Sequence, residues 1–283
     1  MEIKFCNVGY IYNKDTVFSN SVLKGIDLNL KKGKIYSIVG KGGSGKTTIL
    51  ELINRLILPT SGYVDISNFR LEENKRIKNI NDLRVKVGLV FQFPEDQFFC
   101  GTVKKEIEFG MSCFNYKTKS MDKRISDSLI MVGLDDSYLE RDPLTLSYGE
   151  MRLVAIASIL AFNPSVIVLD EPTIGLDAQN KKMLIRLIKM LRTRYSKTII
   201  VGSHDTDLLL KISDEVSVLE NGKIVLSGNK YDVLSNEKIL KRNNIKVPDL
   251  IKFSNLVKKK KGIKIGYRDE INDLIKDIYR YVK

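Results

Sequence analysis

Ile35-Tyr36-Ser37-Ile38-Val39-Gly40-Lys41-Gly42-Gly43-Ser44-Gly45-Lys46-Thr47-Thr48 is the stretch on which the fold turns. An apolar run of strand character leads into a glycine-rich loop, and Ile49, Leu50, Leu52, Ile53, Leu56 and Ile57 then recur at helical spacing up to Pro59. The loop fits G-x-x-x-x-G-K-[ST] at every fixed position, between a strand and a helix, which is the context that gives the pattern meaning. Glycines let the backbone wrap closely around an anion, with successive amides aimed at phosphates. The following helix presents its positive end to the same charge. Lys46 would reach the β- and γ-phosphates, and the Thr47 hydroxyl would ligate Mg²⁺, with Thr48 beside them in the first helical turn. An ordinary flexible glycine turn is the competing reading, and the strand–loop–helix context outweighs it.

Further along, Val166-Ile167-Val168-Leu169-Asp170-Glu171 puts two carboxylates at the end of an apolar run, as expected of a strand buried on both faces. Ligand chemistry in open α/β sheets takes place at that end of the strands. Asp170 would hold Mg²⁺ opposite Thr47, and Glu171 would polarise the attacking water. The alternative, that Asp-Glu-Pro-Thr simply caps the next helix, loses weight once the phosphate loop is granted. His204 is the only histidine and follows the strand expected over 198–201, so it falls at the same rim. Gln92 follows a strand expected over 85–91 and is a further candidate for Mg²⁺ or the water.

Strand and helix signals alternate through the rest of the chain. A strand is expected over 63–66, a helical insertion over about 94–160, and a helix over 178–195 with Leu184, Leu187, Ile188 and Leu191 on one face. Asn221-Gly222 between two short apolar runs predicts a β-hairpin. The fold class is α/β, with a mainly parallel sheet and a separate helical subdomain. An ATPase domain is placed over 1–232. A basic, amphipathic segment over 233–283 follows it, with Lys258 to Lys261 read as a solvated linker before a helix over 269–281.

Composition sets the outer limits. Of 283 residues, 43% are hydrophobic and 29% charged, the balance of a globular chain. The longest run without charge or proline, 153–163, is too short for the roughly 20 residues of a membrane-spanning helix. The first residues read as a strand rather than a signal peptide. Three cysteines, Cys6, Cys100 and Cys113, form no metal or disulfide pattern. The net charge of +13 is spread along the chain, so no nucleic-acid partner is expected.

The order of these pieces resembles the ABC-transporter ATPases over about residues 3–230. The phosphate loop comes first, then Gln92, Leu146-Ser147-Tyr148-Gly149-Glu150, the carboxylate strand, Ile174-Gly175-Leu176-Asp177 and Ser203-His204. Phe91-Gln92-Phe93-Pro94-Glu95-Asp96-Gln97-Phe98-Phe99 is similar to the corresponding loop of energy-coupling-factor (ECF) ATPases. An insertion over 15–22 and the tail from about Val247 resemble the second ATPase of the ECF heterodimer. The resemblance implies an N-terminal antiparallel β part and a small C-terminal dimerisation segment. It also implies two different ATPase subunits, head to tail, with ATP between them. Ser147 and Gly149 would serve a nucleotide held by the partner, and Asp177 would cross the interface. Tyr12, rather than Tyr10, would stack on adenine. Residues 92–99 would receive helices of an integral membrane coupling subunit, and through it a substrate-binding membrane subunit. The implied place is the cytoplasmic face of the membrane, and the implied task is ATP-driven uptake of a vitamin or metal ion.

The family's usual signature has Gly-Gly-Gln where this chain has Tyr148-Gly149-Glu150. A tyrosine restricts close backbone approach, and a carboxylate adds negative charge beside a phosphate. The resulting expectation is a pair of unequal sites. Two rival readings stand beside this one. Asn229-Lys230-Tyr231-Asp232 matches the guanine-reading N-K-x-D of GTPases, but no D-x-x-G accompanies it. An ATPase of a non-ECF ABC transporter, or one serving translation or repair, is the other.

Overall fold

Runs that are apolar at every position make strands buried on both faces; runs that alternate make strands with one face open. The computed structural model describes residues 1–75, 78–114, 116, 120–262 and 265–282, leaving aside the side chains of Glu95, Tyr281 and Val282. Its strands are β1 (Ile3–Tyr12), β2 (Asn20–Leu30), β3 (Ile35–Gly40), β4 (Ser61–Ile66), β5 (Phe69–Glu72), β6 (Val87–Val90), β7 (Val166–Asp170), β8 (Thr198–Gly202), β9 (Glu215–Glu220) and β10 (Lys223–Asn229). Among the described residues they form two sheets, an antiparallel one in the order β2-β1-β4-β5 and a larger one in the order β10-β9-β3-β8-β7-β6.

In the larger sheet β9, β3, β8, β7 and β6 run parallel, and β10 returns antiparallel through the hairpin that Asn221-Gly222 turns. Every residue of β3, β6, β7 and β8 is buried. The parallel register aligns the strand ends. Asp170 lies opposite Gly202, Leu169 opposite Val90, and Ile38 also opposite Gly202. The chain therefore leaves β3, β6, β7 and β8 on one edge, delivering the glycine loop, Gln92, Asp170-Glu171 and Ser203-His204 to the same place.

The helix Lys46–Ile53 lies between the two sheets, where Ile49, Leu50, Leu52 and Ile53 share one core with Phe5, Val64, Ile66 and Val168. A second core joins the other face of the larger sheet to the insertion. It holds Val103, Ile107, Ile125, Leu129 and Val154 together with Leu169 and Ile188. The insertion is helical as expected, with helices Val103–Cys113, Met121–Met131 and Tyr148–Leu160. No helix among the described residues is long and apolar enough to cross a membrane.

Several boundaries differ from the sequence reading. The strand expected over 85–91 is only Val87–Val90, because Val85 belongs to the helix Ile80–Lys86 that abuts it. The helix after the loop stops at Ile53, and Arg55 takes a left-handed φ of 54°, so the apolar pattern to Ile57 continues past the helix itself. The helix expected over 178–195 is Ala178–Thr193. The lysine run is no linker. Lys258 to Lys261 form the last turn of the helix Asp249–Lys261, where cations face the negative end of the helix dipole and Gly262 closes the turn with φ 69°.

The C-terminal segment is tied to the core. Val233, Leu234, Leu240, Val247 and Ile251 are buried in the second core. The Thr206 hydroxyl donates to the Lys246 carbonyl at 2.8 Å, and the Lys246 ammonium reaches Asp207 at 3.1 Å and Asp249 at 2.7 Å. Asn229 caps the short helix Lys230–Leu234, and Lys230 pairs with Asp269 at 2.6 Å. The guanine-like motif is thus a helix start whose lysine is committed to an internal ion pair.

Candidate nucleotide site

The loop between β3 and the helix Lys46–Ile53 needs glycine for steric reasons at two positions in particular. A Cβ on Gly40 would come within 2.5 Å of both the Leu219 carbonyl and Ser44 Oγ. Gly45 has φ 105°, and a Cβ there would sit 2.8 Å from Leu23. Around Gly42 and Gly43 nothing lies within 4 Å of a built Cβ, so this part of the loop offers bare backbone to its surroundings. The helix begins at Gly45 with no side-chain cap, which leaves its first amides available to an anion. The Lys46 ammonium folds over the loop, donating to the carbonyls of Gly40 at 2.9 Å and Lys41 at 3.3 Å.

Across from the loop, the Thr47 hydroxyl donates to Asp170 Oδ2 at 2.6 Å. Burial pushes the Asp170 carboxyl above the ordinary carboxylate range, the Thr47 hydrogen bond opposes this, and the neighbouring Glu171 charge adds to it. Among the described residues four buried side-chain polar atoms lack a hydrogen-bond partner. Two of them, Ser44 Oγ and Asp170 Oδ1, stand at this edge. An unpartnered carboxylate oxygen beside a threonine hydroxyl is a hard-oxygen donor set that fits Mg²⁺, which commonly takes one or two protein ligands and completes its shell with water and substrate phosphates. No cluster of three or more His, Cys, Asp or Glu side chains able to hold a metal occurs among the described residues.

Glu171 is held differently. Its backbone adopts φ 44°, and its N–H donates to the Gly202 carbonyl at 2.8 Å. The carboxylate accepts from the Ser203 hydroxyl at 2.8 Å and from the His204 N–H at 3.1 Å, and lies 2.9 Å from His204 Nδ1. The His204 side chain is 67% exposed, while that of Glu171 is 8% exposed. The glutamate is therefore aimed by the end of β8, with the histidine standing between it and solvent. Asp205, the next residue, caps the helix Thr206–Ile212 and pairs with Lys181.

Two residues that sequence reasoning passes over organise the site. Arg152, 2% exposed, donates to the Glu171 carbonyl at 2.9 Å and to the Gln92 carbonyl at 2.6 Å, tying the ends of β6 and β7 to the helix Tyr148–Leu160. Its signal is a lone charge in an otherwise apolar helical stretch. Ser203, fully buried, fixes one oxygen of Glu171, and only the register of β7 against β8 reveals it.

Tyr12 places its hydroxyl 3.2 Å from Thr48 Oγ1 and 3.3 Å from Glu51, against the helix that follows the loop, and meets Tyr10 edge to face at 4.7 Å. Thr48 is buried, so its first-turn N–H is the group that can face an anion. The remaining predicted residues are not drawn into this cluster. Ser147 and Glu150 form a capping box at the exposed start of the helix Tyr148–Leu160, with the Tyr148 side chain 67% exposed. Gly149 faces Asn180, and Asp177 caps the helix Ala178–Thr193 by accepting from the Asn180 N–H at 2.7 Å. Signature and Asp177 are thus neighbours on one face.

A parallel sheet with a phosphate loop, a carboxylate pair and a histidine at one edge defines a P-loop ATPase. The chain belongs to the ABC transporter family, whose model matches residues 23–174, and it is a transport-coupled ATP hydrolase. Similar curated proteins include the energy-coupling factor transporter ATP-binding protein EcfA2 of Staphylococcus epidermidis, 39% identical over 92% of this chain and 91% of that protein. EcfA2 of Streptococcus thermophilus is 41% identical over 90% of each chain. Among solved structures, cbiO1 from Clostridium perfringens, part of the ABC transporter complex cbiONQ, is 30% identical with TM-score 0.72 over 89% of this chain and 98% of that one. An ATP-binding cassette solved as a dimer in a post-hydrolysis state with ADP and phosphate has the same identity and TM-score, over 81% and 98%.

Proposed function

We propose that the chain is the ATP-binding subunit of an ECF-type importer, working at the cytoplasmic face of the membrane as one half of a head-to-tail pair of different ATPases. The observation that carries this is the Thr47–Asp170 contact of 2.6 Å beneath the glycine loop, with Asp170 Oδ1 left without a partner. The loop amides from Gly40 to Thr48 and Lys46 bind the triphosphate, and Tyr12 flanks the base. Thr47, Asp170 and Gln92 hold Mg²⁺, which when bound neutralises phosphate charge. Glu171 accepts the proton of the attacking water, and His204, Ser203 and Arg152 keep that carboxylate aimed across the loop.

The far side of the nucleotide is completed by a second ATPase, since Ser147 and Asp177 are exposed on a different part of the chain, with Gly149 buried between them against Asn180. The names of the similar proteins support the ECF reading. So does an aromatic groove of about 310 Å³ beside residues 92–99, lined by Phe91, Phe98, Phe99, Phe109 and Phe162. Phe99, 65% exposed, meets Phe109 edge to face at 4.7 Å there. A coupling helix of the membrane subunit fits such a surface, and cargo, a vitamin or metal ion, is read by membrane proteins rather than by this chain. Pull-down from membranes tests the reading: a second ATPase and an integral membrane protein are expected together, whereas recovery of ribosomes or DNA would contradict it.

A further inference from the structure

Away from the glycine loop, the helical insertion and the larger sheet leave a cleft of about 700 Å³ between them. It opens beside Pro164 and Lys197, just before β7 and β8 begin, at the opposite ends of those strands from Glu171 and His204. Met131, Leu160, Leu191 and Tyr195 give it an apolar wall. Three cations, Lys123, Arg124 and Lys197, line it against one carboxylate, Asp127. None of these four side chains is in an ion pair among the described residues.

The two less exposed cations rest on neutral groups. Lys197 Nζ donates to the Asn163 carbonyl at 3.2 Å and to Asn163 Oδ1 at 2.6 Å. Arg124 donates to the Ala161 carbonyl at 3.2 Å, with its guanidinium 5.4 Å from the centre of the Tyr116 ring. Both cationic heads therefore converge on one turn, after the helix Tyr148–Leu160. Burial pushes the Lys197 ammonium below its ordinary range, with no carboxylate to offset it. Capping that helix end uses only part of what the two side chains offer, since a guanidinium carries five N–H donors and an ammonium three.

We propose that this cleft binds a small phosphate monoester with an apolar body, the phosphate on Arg124 and Lys197 and the body against Leu191 and Tyr195. Three cations against one carboxylate leave two positive charges, which a phosphate monoester near neutral pH matches and a single carboxylate does not. The arginine fork and the lysine point charge are both phosphate partners. A concave, largely apolar space with a few polar groups is also how small-molecule sites are built. The bound head would bridge the insertion and the sheet.

The test is a calorimetric titration of phenyl phosphate into the full chain held saturated with Mg-ADP, which fills the phosphate loop. Saturable binding with a Kd below about 1 mM is expected, at least ~10-fold tighter than for inorganic phosphate or for benzoate. Lys197→Met and Arg124→Met are each expected to weaken it by about 10-fold or more, while Lys197→Arg stays within about threefold. Asp127→Asn removes the only carboxylate of the cleft and is expected to tighten binding about two- to threefold, a gain that an impaired fold would not give. Absence of saturable binding, equal affinity for inorganic phosphate or benzoate, or binding indifferent to Lys197→Met and Arg124→Met overturns the proposal. So does weaker binding with Asp127→Asn, and so does a loss caused by Lys46→Ala instead, which would put the probe in the phosphate loop.

Discussion

The helices Lys46–Ile53 and Tyr148–Leu160 are started in opposite ways. At Gly45 the helix starts without a side-chain cap, buried between sheets, with an unpartnered serine oxygen and an unpartnered carboxylate oxygen close by. At Ser147 the helix starts exposed, with a complete capping box and a tyrosine bonded to it. The first turn leaves its polar groups for something outside the protein; the second satisfies its own. Unsatisfied buried groups are costly, so they persist where a ligand resolves them. On the head-to-tail reading proposed above, one half of a nucleotide site is preformed here and the other half begins at a helix start that is already capped by its own side chains.

The comparison breaks most visibly at the preformed half. Glu171→Gln is expected to lower turnover of the assembled complex by about 10²–10⁴-fold while ATP binding persists, read by steady-state hydrolysis beside a binding titration. Full hydrolysis in that variant would remove Glu171 from the role given to it. Lys46→Ala deletes the ammonium that folds over the loop. Charge-assisted hydrogen bonds contribute about 1.5–3 kcal/mol, so Mg-ATP affinity should fall roughly 10- to 150-fold by calorimetry; an unchanged affinity would deny that the loop is the site.

At the outward half the effects are smaller. Tyr148→Gly opens the backbone beside Ser147 and should raise turnover of the complex about threefold, whereas no change or a drop would show that the tyrosine does not obstruct approach. Stability sharpens the contrast further. Gly40→Ala drives a Cβ to 2.5 Å from the Leu219 carbonyl, and a loss of about 1–3 kcal/mol is expected in denaturant unfolding. An Ala at Gly42, where nothing lies within 4 Å, should cost far less.

Without nucleotide Asp170 gives the smallest signal and the clearest sign. Burial raises its carboxyl above the unfolded value, so the native chain holds that proton more tightly than the unfolded chain does. Its contribution is therefore fully present in acid and is lost as pH rises through the native titration. Asp170→Asn should raise the melting temperature of the nucleotide-free protein slightly at neutral pH and erase the added stability that Mg-ATP confers. A lower melting temperature without nucleotide would contradict the assignment of burial as the dominant cause.

Much of the fold and half of the site are legible in the residues. The loop, the strand ending in Asp170-Glu171 and the hairpin at Asn221-Gly222 each carry a local signal strong enough to decide their own structure. What stays hidden depends on distant partners. Val85 looks like strand until the helix Ile80–Lys86 claims it, and the lysines at 258–261 look like linker until the buried Ile251 commits that segment to a helix packed on the core. Arg152 and Ser203 acquire their roles only through carbonyl and carboxylate groups 19 and 32 residues away. Glu150 is a special case: only the family resemblance sets it near a phosphate, and the structure adds that its own helix and Tyr138 hold it.

The most direct test of a half-preformed site is to measure Mg-ATP binding and hydrolysis by the purified chain, alone and then with the second ATPase recovered from membranes. The chain alone should retain Mg-ATP with negligible turnover, and turnover should appear on pairing. Failure to retain Mg-ATP in either condition, or full turnover by the solitary chain, would contradict the account.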